Sequence, residues 1–272
     1  MAGAGEVWYL SADSQFMGEQ VPESLQEGLT GGVRRNLRLR ASVAMMELPK
    51  AIAGEEVTSQ VLVPLTMTTV FAAWMAPQAI RAALSRRNRT RWRHLLRSPV
   101  SFTMALAVIA CVLAIGSLLT VLVPCLGWSW WRALGGTGSV MFNFPDVPSG
   151  APGALVWWAK LLPVVVLVLL LPAVPTFAYI EECAFRRGAE SWSLDRRVLV
   201  PCIFGLVHAI LGVTLAFAIA LAFAGALYQT RYLATYARRH SRSEAMQDAV
   251  NIHAAYNVLV LSVAACVVFL TF

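Results

Sequence analysis

Charged side chains are scarce in this chain. Of its 272 residues only 14% are Asp, Glu, Lys or Arg, whereas 58% are hydrophobic, and the mean hydropathy is +0.63. A soluble domain carries about 25% charged residues, so the shortage excludes a soluble domain of this size. Apolar–polar alternation is also missing, and the long apolar runs contain Gly, Pro, Ala and Trp, which favours a helical bundle over a membrane β-barrel. Among the five cysteines, Cys111, Cys202 and Cys266 lie inside apolar runs and none forms a close pair. That spacing argues against a disulfide framework and against a thiolate zinc site. No secretory signal peptide is visible, because Met1 to Gln60 is polar, with five basic and eight acidic residues.

What charge there is falls in clusters. Arg81 to Arg97 holds seven arginines, Arg186 to Arg197 four and Arg231 to Arg242 four more, while Cys125 to Gly150 has one basic residue, Arg132. The clusters flank apolar spans at intervals, the pattern of cytoplasmic loops rather than of a nucleic-acid surface. The sequence therefore predicts an all-α fold, a polytopic membrane helical bundle of about six transmembrane helices. Residues 1–60 read as a polar N-terminal extension with a break at Gly28 to Gly32 and a short surface helix near Leu39 to Leu48. The membrane-embedded domain occupies 61–272, with its motif-bearing core at 161–272.

The crossings expected are Val61 to Ile80, Ser101 to Trp128, Ala154 to Ile180, two within Val198 to Tyr236, and Ala249 to Phe272. If Val61 to Ile80 lies on the surface or re-enters, the count is five. Trp130, Trp131 and Asn143 fall in an outer loop at Trp128 to Gly153, and Pro172 and Pro175 should bend the third crossing near its inner end. The pair within Val198 to Tyr236 should turn near Gly212 to Thr214. Gly212, Ala216, Ala220 and Ala224 recur every four residues, a smooth ridge for close helix packing. Arg238 to Asp248 reads as the last cytoplasmic loop. The Arg- and Ala-rich composition suggests a bacterial plasma membrane.

Polar residues inside the apolar runs carry the functional signal. Glu181 and Glu182 follow directly on Leu161 to Ile180, twenty residues without a charged side chain. Burying an acid there costs several kcal/mol. Glu182 and Arg186 are four apart and face each other on a helix. Glu181 and Arg186 are five apart, roughly 140° round the helix, which leaves Glu181 without a local partner. A carboxylate in apolar surroundings holds its proton more tightly, which suits a general base near neutral pH. The plainer reading is an ion pair at a helix end.

His208 is eleven residues beyond Arg197, about 16 Å along a helix, and His253 is five beyond Asp248, about 8 Å. His253 and Asn257 share a helix face. Each alone reads equally as an interhelical hydrogen bond. Together, the topology brings Glu181, His208, His253 and Asn257 from three crossings toward the cytoplasmic half, where they would share a cavity. One tension is depth, since Glu181 reads as near the surface and His208 as deep.

Glu181-Glu182-x-x-x-Arg186, then Phe204-x-x-x-His208, then His253-x-x-x-Asn257 resemble, in order and in membrane setting, the three motifs of the CPBP (Abi) family of CAAX-protease-like intramembrane proteases. The resemblance covers roughly Leu161 to Phe272. It implies an intramembrane endopeptidase in which Glu181 activates a water and His208 helps to hold it. His253 and Asn257 would donate hydrogen bonds to the oxyanion, with Glu182 and Arg186 as supporting scaffold. The implied partner is a peptide or protein substrate, membrane-bound and lipidated ones included. No cofactor is implied. A zinc-dependent version, with Glu181, His208 and His253 as ligands, stands as the alternative, although no His-Glu-x-x-His pair supplies two ligands from one helix. So does a non-catalytic membrane scaffold that uses the same polar cavity for binding.

Overall fold

Regular structure is helical throughout the residues described by the computed structural model, 59–134, 136, 139–140 and 153–271. The expected surface helix near Leu39 to Leu48, nearly all of the polar extension, and Asn143 lie outside the described residues. Eight helices are present among those described: α1 Ser59–Leu84, α2 Arg86–Leu96, α3 Pro99–Leu122, α4 Gly153–Leu170, α5 Val174–Arg186, α6 Leu194–Ile210, α7 Leu215–Arg239 and α8 Arg242–Thr271. Short helical turns at Pro124–Gly127 and Trp130–Ala133 follow α3.

Three helical runs are long and apolar enough to cross a membrane, Pro99–Leu122, Val156–Ser191 and Arg242–Val267. The other expected crossings fall short of that measure for separate reasons. Helix α1 carries Thr66, Thr68, Thr69 and Gln78 with Pro64 and Pro77 in its interior. Helix α6 has 17 residues, a length of about 25 Å against a hydrocarbon layer of about 30 Å. Helix α7 ends in Gln229, Arg231, Arg238 and Arg239. Leu106, Leu113, Val168, Phe223 and Val263 nevertheless leave a broad apolar exterior exposed, the surface that lipid rather than water would cover.

The two prolines break the third apolar run just ahead of the paired glutamates. A single turn of 3-10 helix at Leu171–Ala173 separates α4 from α5, because Pro175 has no N–H to give to the Leu171 carbonyl. The Pro172 carbonyl accepts from Asn88 Nδ2 at 2.8 Å and from Trp92 Nε1 at 2.9 Å, both on α2. Thr176 Oγ1 donates to Asn88 Oδ1 at 2.8 Å and accepts from Arg91 Nη1 at 3.2 Å. The Arg91 guanidinium lies 4.0 Å from the centre of the Tyr179 ring. Helix α2 is thus clamped to the break and to the first turns of α5.

Helices α6 and α7 form the expected hairpin. Gly212 has φ +87°, a left-handed conformation that glycine adopts without strain. Ala216, Ala220 and Ala224 are all buried, so the four-residue ladder is a packing ridge. On another face of α7, a Cβ on Gly205 would lie 2.3 Å from the Ala218 carbonyl oxygen and 2.7 Å from the Ala222 nitrogen. The two backbones meet there with no room for a side chain.

The start of the last helix differs from expectation. Arg238 to Asp248 is not a loop: α7 runs to Arg239, His240 turns with φ 52°, and α8 begins at Arg242. Ser241-Arg242-Ser243-Glu244 has capping-box spacing, and Ser241 Oγ accepts from the Glu244 backbone nitrogen at 3.3 Å. Asp248 consequently sits inside the helix. Its carboxylate accepts from Arg231 Nε at 2.7 Å and from Thr235 Oγ1 at 2.6 Å.

Buried apolar side chains form two main groups. Leu162, Val166, Leu170, Val174, Ala178 and Leu261 join α4, α5 and α8, while Phe204, Ala220, Ala224, Tyr228 and Ile252 join α6, α7 and α8. Tyr256 packs against both groups. Replacement of Gly205 by alanine should cost about 1–3 kcal/mol, since the clash is with backbone and cannot be relieved by a rotamer change. Thermal unfolding in detergent should show a clearly lower midpoint for Gly205→Ala, and an unchanged midpoint would contradict the close crossing.

Candidate functional site

Glu181 on α5, His208 on α6, and His253 and Asn257 on α8 line one cavity of about 440 Å³. All four residues singled out from the sequence therefore face the same space. The rest of the wall is largely apolar and aromatic, including Phe71 and Trp74 from α1, Phe177 from α5, and Leu221 and Tyr228 from α7.

Beneath the cavity lies a buried charge cluster. Glu182 is fully buried, and its Oε1 accepts from Arg186 Nη1 at 2.9 Å and from His253 Nδ1 at 2.7 Å. Arg186 Nη2 donates to the Gly225 carbonyl at 3.2 Å. The same guanidinium stands 4.7 Å from the Phe204 ring centre and 5.4 Å from that of Tyr228. A Cβ on Gly225 would come within 2.8 Å of Phe204, so glycine is what lets the carbonyl approach the cation. A carboxylate, a carbonyl and two ring faces together offset a charge that would otherwise be costly to bury, while Arg186 Nε has no hydrogen-bond partner among the described residues.

This arrangement revises two expectations. Arg186 belongs to one of the arginine clusters that the sequence places at a membrane edge, yet it is 1% exposed, so its side chain faces the protein interior. Glu181 lies about 8 Å along the helix from this buried cation, and it lines the same cavity as His208, so their different distances from the arginine clusters do not keep them apart. Nor is Glu181 without a partner: its Oε2 is 3.5 Å from His253 Nε2. The α5 sequence could not reveal this, because the imidazole arrives from a helix 72 positions away.

The two glutamates divide their roles by exposure. The Glu181 side chain is 39% exposed and that of Glu182 is 0% exposed. Glu182, as an ionised carboxylate, only accepts, so His253 Nδ1 carries the proton and Nε2 is turned toward Glu181. Tyr228 stacks on the same imidazole, with ring centres 5.0 Å apart and an interplanar angle of 17°. His253 is thus held at Nδ1 by Glu182 and in orientation by Tyr228. The family resemblance makes Glu182 supporting scaffold, and its direct contacts are with Arg186 and His253.

His208 is fixed in the same manner by its own helix. Its Nδ1 is 2.7 Å from the Phe204 carbonyl, which can only accept, so Nδ1 bears the proton and Nε2 is the nitrogen left for the cavity. Asn257 is half-buried, and its amide makes no hydrogen bond to any described residue. No group of three His, Cys, Asp or Glu side chains disposed to hold a metal ion occurs among the described residues. Glu181, His208 and His253, the set considered for zinc, share the cavity without forming such a group.

Sequence reasoning missed Tyr228 and Gly225. The signal for Tyr228 was present, since the ladder Ala216, Ala220, Ala224 reaches it in one more step of four. Comparison with protein-family models, with curated proteins and with solved structures finds no match. The resemblance to the CPBP family therefore rests on the three motifs.

The division between the glutamates has a measurable consequence. Glu182→Gln should destabilise the protein by about 3–5 kcal/mol, because it leaves the buried Arg186 charge uncompensated. Glu181→Gln should change stability by no more than about 0.5 kcal/mol. Unfolding midpoints of the two variants, measured side by side, check this, and equal shifts would contradict it.

Proposed function

We propose that this chain is an integral membrane endopeptidase of the CPBP, CAAX-protease-like type, which hydrolyses a peptide bond with a water activated by Glu181. The reading rests on one observation: Glu181, His208, His253 and Asn257, from three helices, line a single cavity in which the orientation of His253 is fixed from below. General-base hydrolysis needs an acid–base group beside a water site, and donors preset for the oxyanion. Glu181, partly open to the cavity, takes a proton from water as the water oxygen attacks the peptide carbonyl carbon. His208 Nε2 accepts a hydrogen bond from the same water and orients it. The Asn257 amide donates to the carbonyl oxygen as it becomes an alkoxide, and His253 Nε2 donates beside it when the imidazole carries a proton on each nitrogen. On collapse of the tetrahedral intermediate, the C–N bond breaks and Glu181 returns its proton to the leaving amine.

Glu182 supports this by accepting from His253 Nδ1, which holds the ring with Nε2 toward Glu181. Arg186 in turn pairs with Glu182 at 2.9 Å. In the bilayer, α1, α6 and α7 would complete a bundle of about six crossings, with the cavity opening to the cytoplasm by the placement of the arginines. A bacterial plasma membrane fits the composition. The apolar wall suits a hydrophobic peptide or protein substrate, including membrane-bound or lipidated ones.

Cleavage of a hydrophobic peptide library by the purified chain in detergent, followed by mass spectrometry, tests the proposal. Glu181→Gln should lower turnover by about 10²–10⁴-fold, the range of general-base catalysis. Asn257→Ala should lower it by about 10²–10³-fold, as loss of an oxyanion donor does. No turnover in the parent protein would favour a non-catalytic scaffold. A chelator should leave the rate unchanged; a loss that zinc restores would instead assign Glu181, His208 and His253 to a zinc-dependent version.

A further inference from the structure

The second helix has two opposite faces, and the site uses only one. Its sequence, Arg86-Arg87-Asn88-Arg89-Thr90-Arg91-Trp92-Arg93-His94-Leu95-Leu96, holds no acidic residue, and none occurs anywhere from Val57 to Pro145. Asn88, Arg91, Trp92 and Leu95 form the inner face. Asn88 and Leu95 are buried, and the other two bind Pro172, Thr176 and the Tyr179 ring. At 100° per residue, Arg86, Arg89, Arg93 and Arg97 fall within an arc of roughly 80° on the opposite side. All four are exposed, and none meets a carboxylate among the described residues.

We propose that this arginine stripe is a binding surface for the phosphate headgroups of anionic phospholipids. The position of the helix selects lipid over a soluble anion. Arg97 is followed after one residue by Pro99, the first residue of α3, a 24-residue apolar helix long enough to cross a membrane. The stripe therefore sits where headgroups would be. Guanidinium forks match phosphate oxygens in pairs, and each basic side chain near an anionic surface adds to the attraction. The inner face supplies the other half of the argument. Because α2 is clamped on the Pro172 carbonyl, its outer face is held in one orientation, and little ordering is left to be done on binding. A lipid held by the stripe would in turn press α2 onto the break that sets the direction of α5. The inference concerns lipid binding and stands independently of peptide hydrolysis.

The test is thermal unfolding of the full chain in a non-ionic detergent, read by tryptophan fluorescence, with phosphatidylglycerol, phosphatidylcholine or inorganic phosphate added at equal concentration. Phosphatidylglycerol should raise the midpoint by about 5 °C, and the other two should produce little change. The R86Q/R89Q/R93Q/R97Q variant should keep the lipid-free midpoint and lose most of the rise, and the matching four-lysine variant should retain most of it. An equal rise in the glutamine variant, or an equal rise with phosphatidylcholine, would overturn the inference. So would an equal rise with phosphate alone, which would make the stripe a site for an adventitious ion only.

Discussion

The hydrogen bond between His253 Nδ1 and the buried Glu182 carboxylate, 2.7 Å long, is the constraint on which the site depends. It ties α8 to α5, which also share a buried apolar cluster. It also decides which imidazole nitrogen carries a fixed proton and which one faces Glu181. The ion pair beneath it is what makes a buried carboxylate tolerable at that depth. Without Arg186, the Glu182 carboxylate would be buried with no countercharge. Arg186 in turn depends on Gly225, whose missing side chain exposes a carbonyl to the guanidinium.

Neighbouring carboxylates thereby come to differ in chemistry though they share a helix turn. Glu182 faces the interior, where two donors engage its Oε1. Glu181 faces the cavity, and its Oε2 is near His253 Nε2. One imidazole is thus in contact with a carboxylate on each side, the inner one structural and the outer one open to a ligand. A second imidazole, His208, is fixed by a backbone carbonyl of its own helix, a local device that needs no partner chain segment. The two histidines present their Nε2 atoms to a common space by different means.

Local features of this arrangement were legible in the sequence, and long-range ones were not. Pro172 and Pro175 announced the break before the glutamates, because the missing N–H acts on the residue's own helix. The Gly212 turn and the alanine ladder were readable for the same reason. Residue types at helical spacing also identified the four cavity residues. The burial of Arg186 was not readable: an arginine at the end of an apolar run looks like a membrane-edge residue until Phe204, Gly225 and Tyr228, from other helices, are seen around it. Likewise Glu182 and His253 are 71 positions apart, and neither residue's neighbours point to the other. The early start of α8 was missed through charge, since Arg238 to Asp248 looks like a loop when the Ser241 to Glu244 cap is overlooked.

The tautomer and bonding of His253 test the account most directly. Nitrogen-15 NMR of the purified chain labelled at histidine should show a His253 Nδ1 that bears a proton and is shifted by a strong hydrogen bond. That signature should be lost in Glu182→Ala if the variant remains folded. A His253 whose Nδ1 is the unprotonated nitrogen in the parent protein would contradict the account, because Glu182 could then neither fix the imidazole nor direct its other nitrogen toward Glu181.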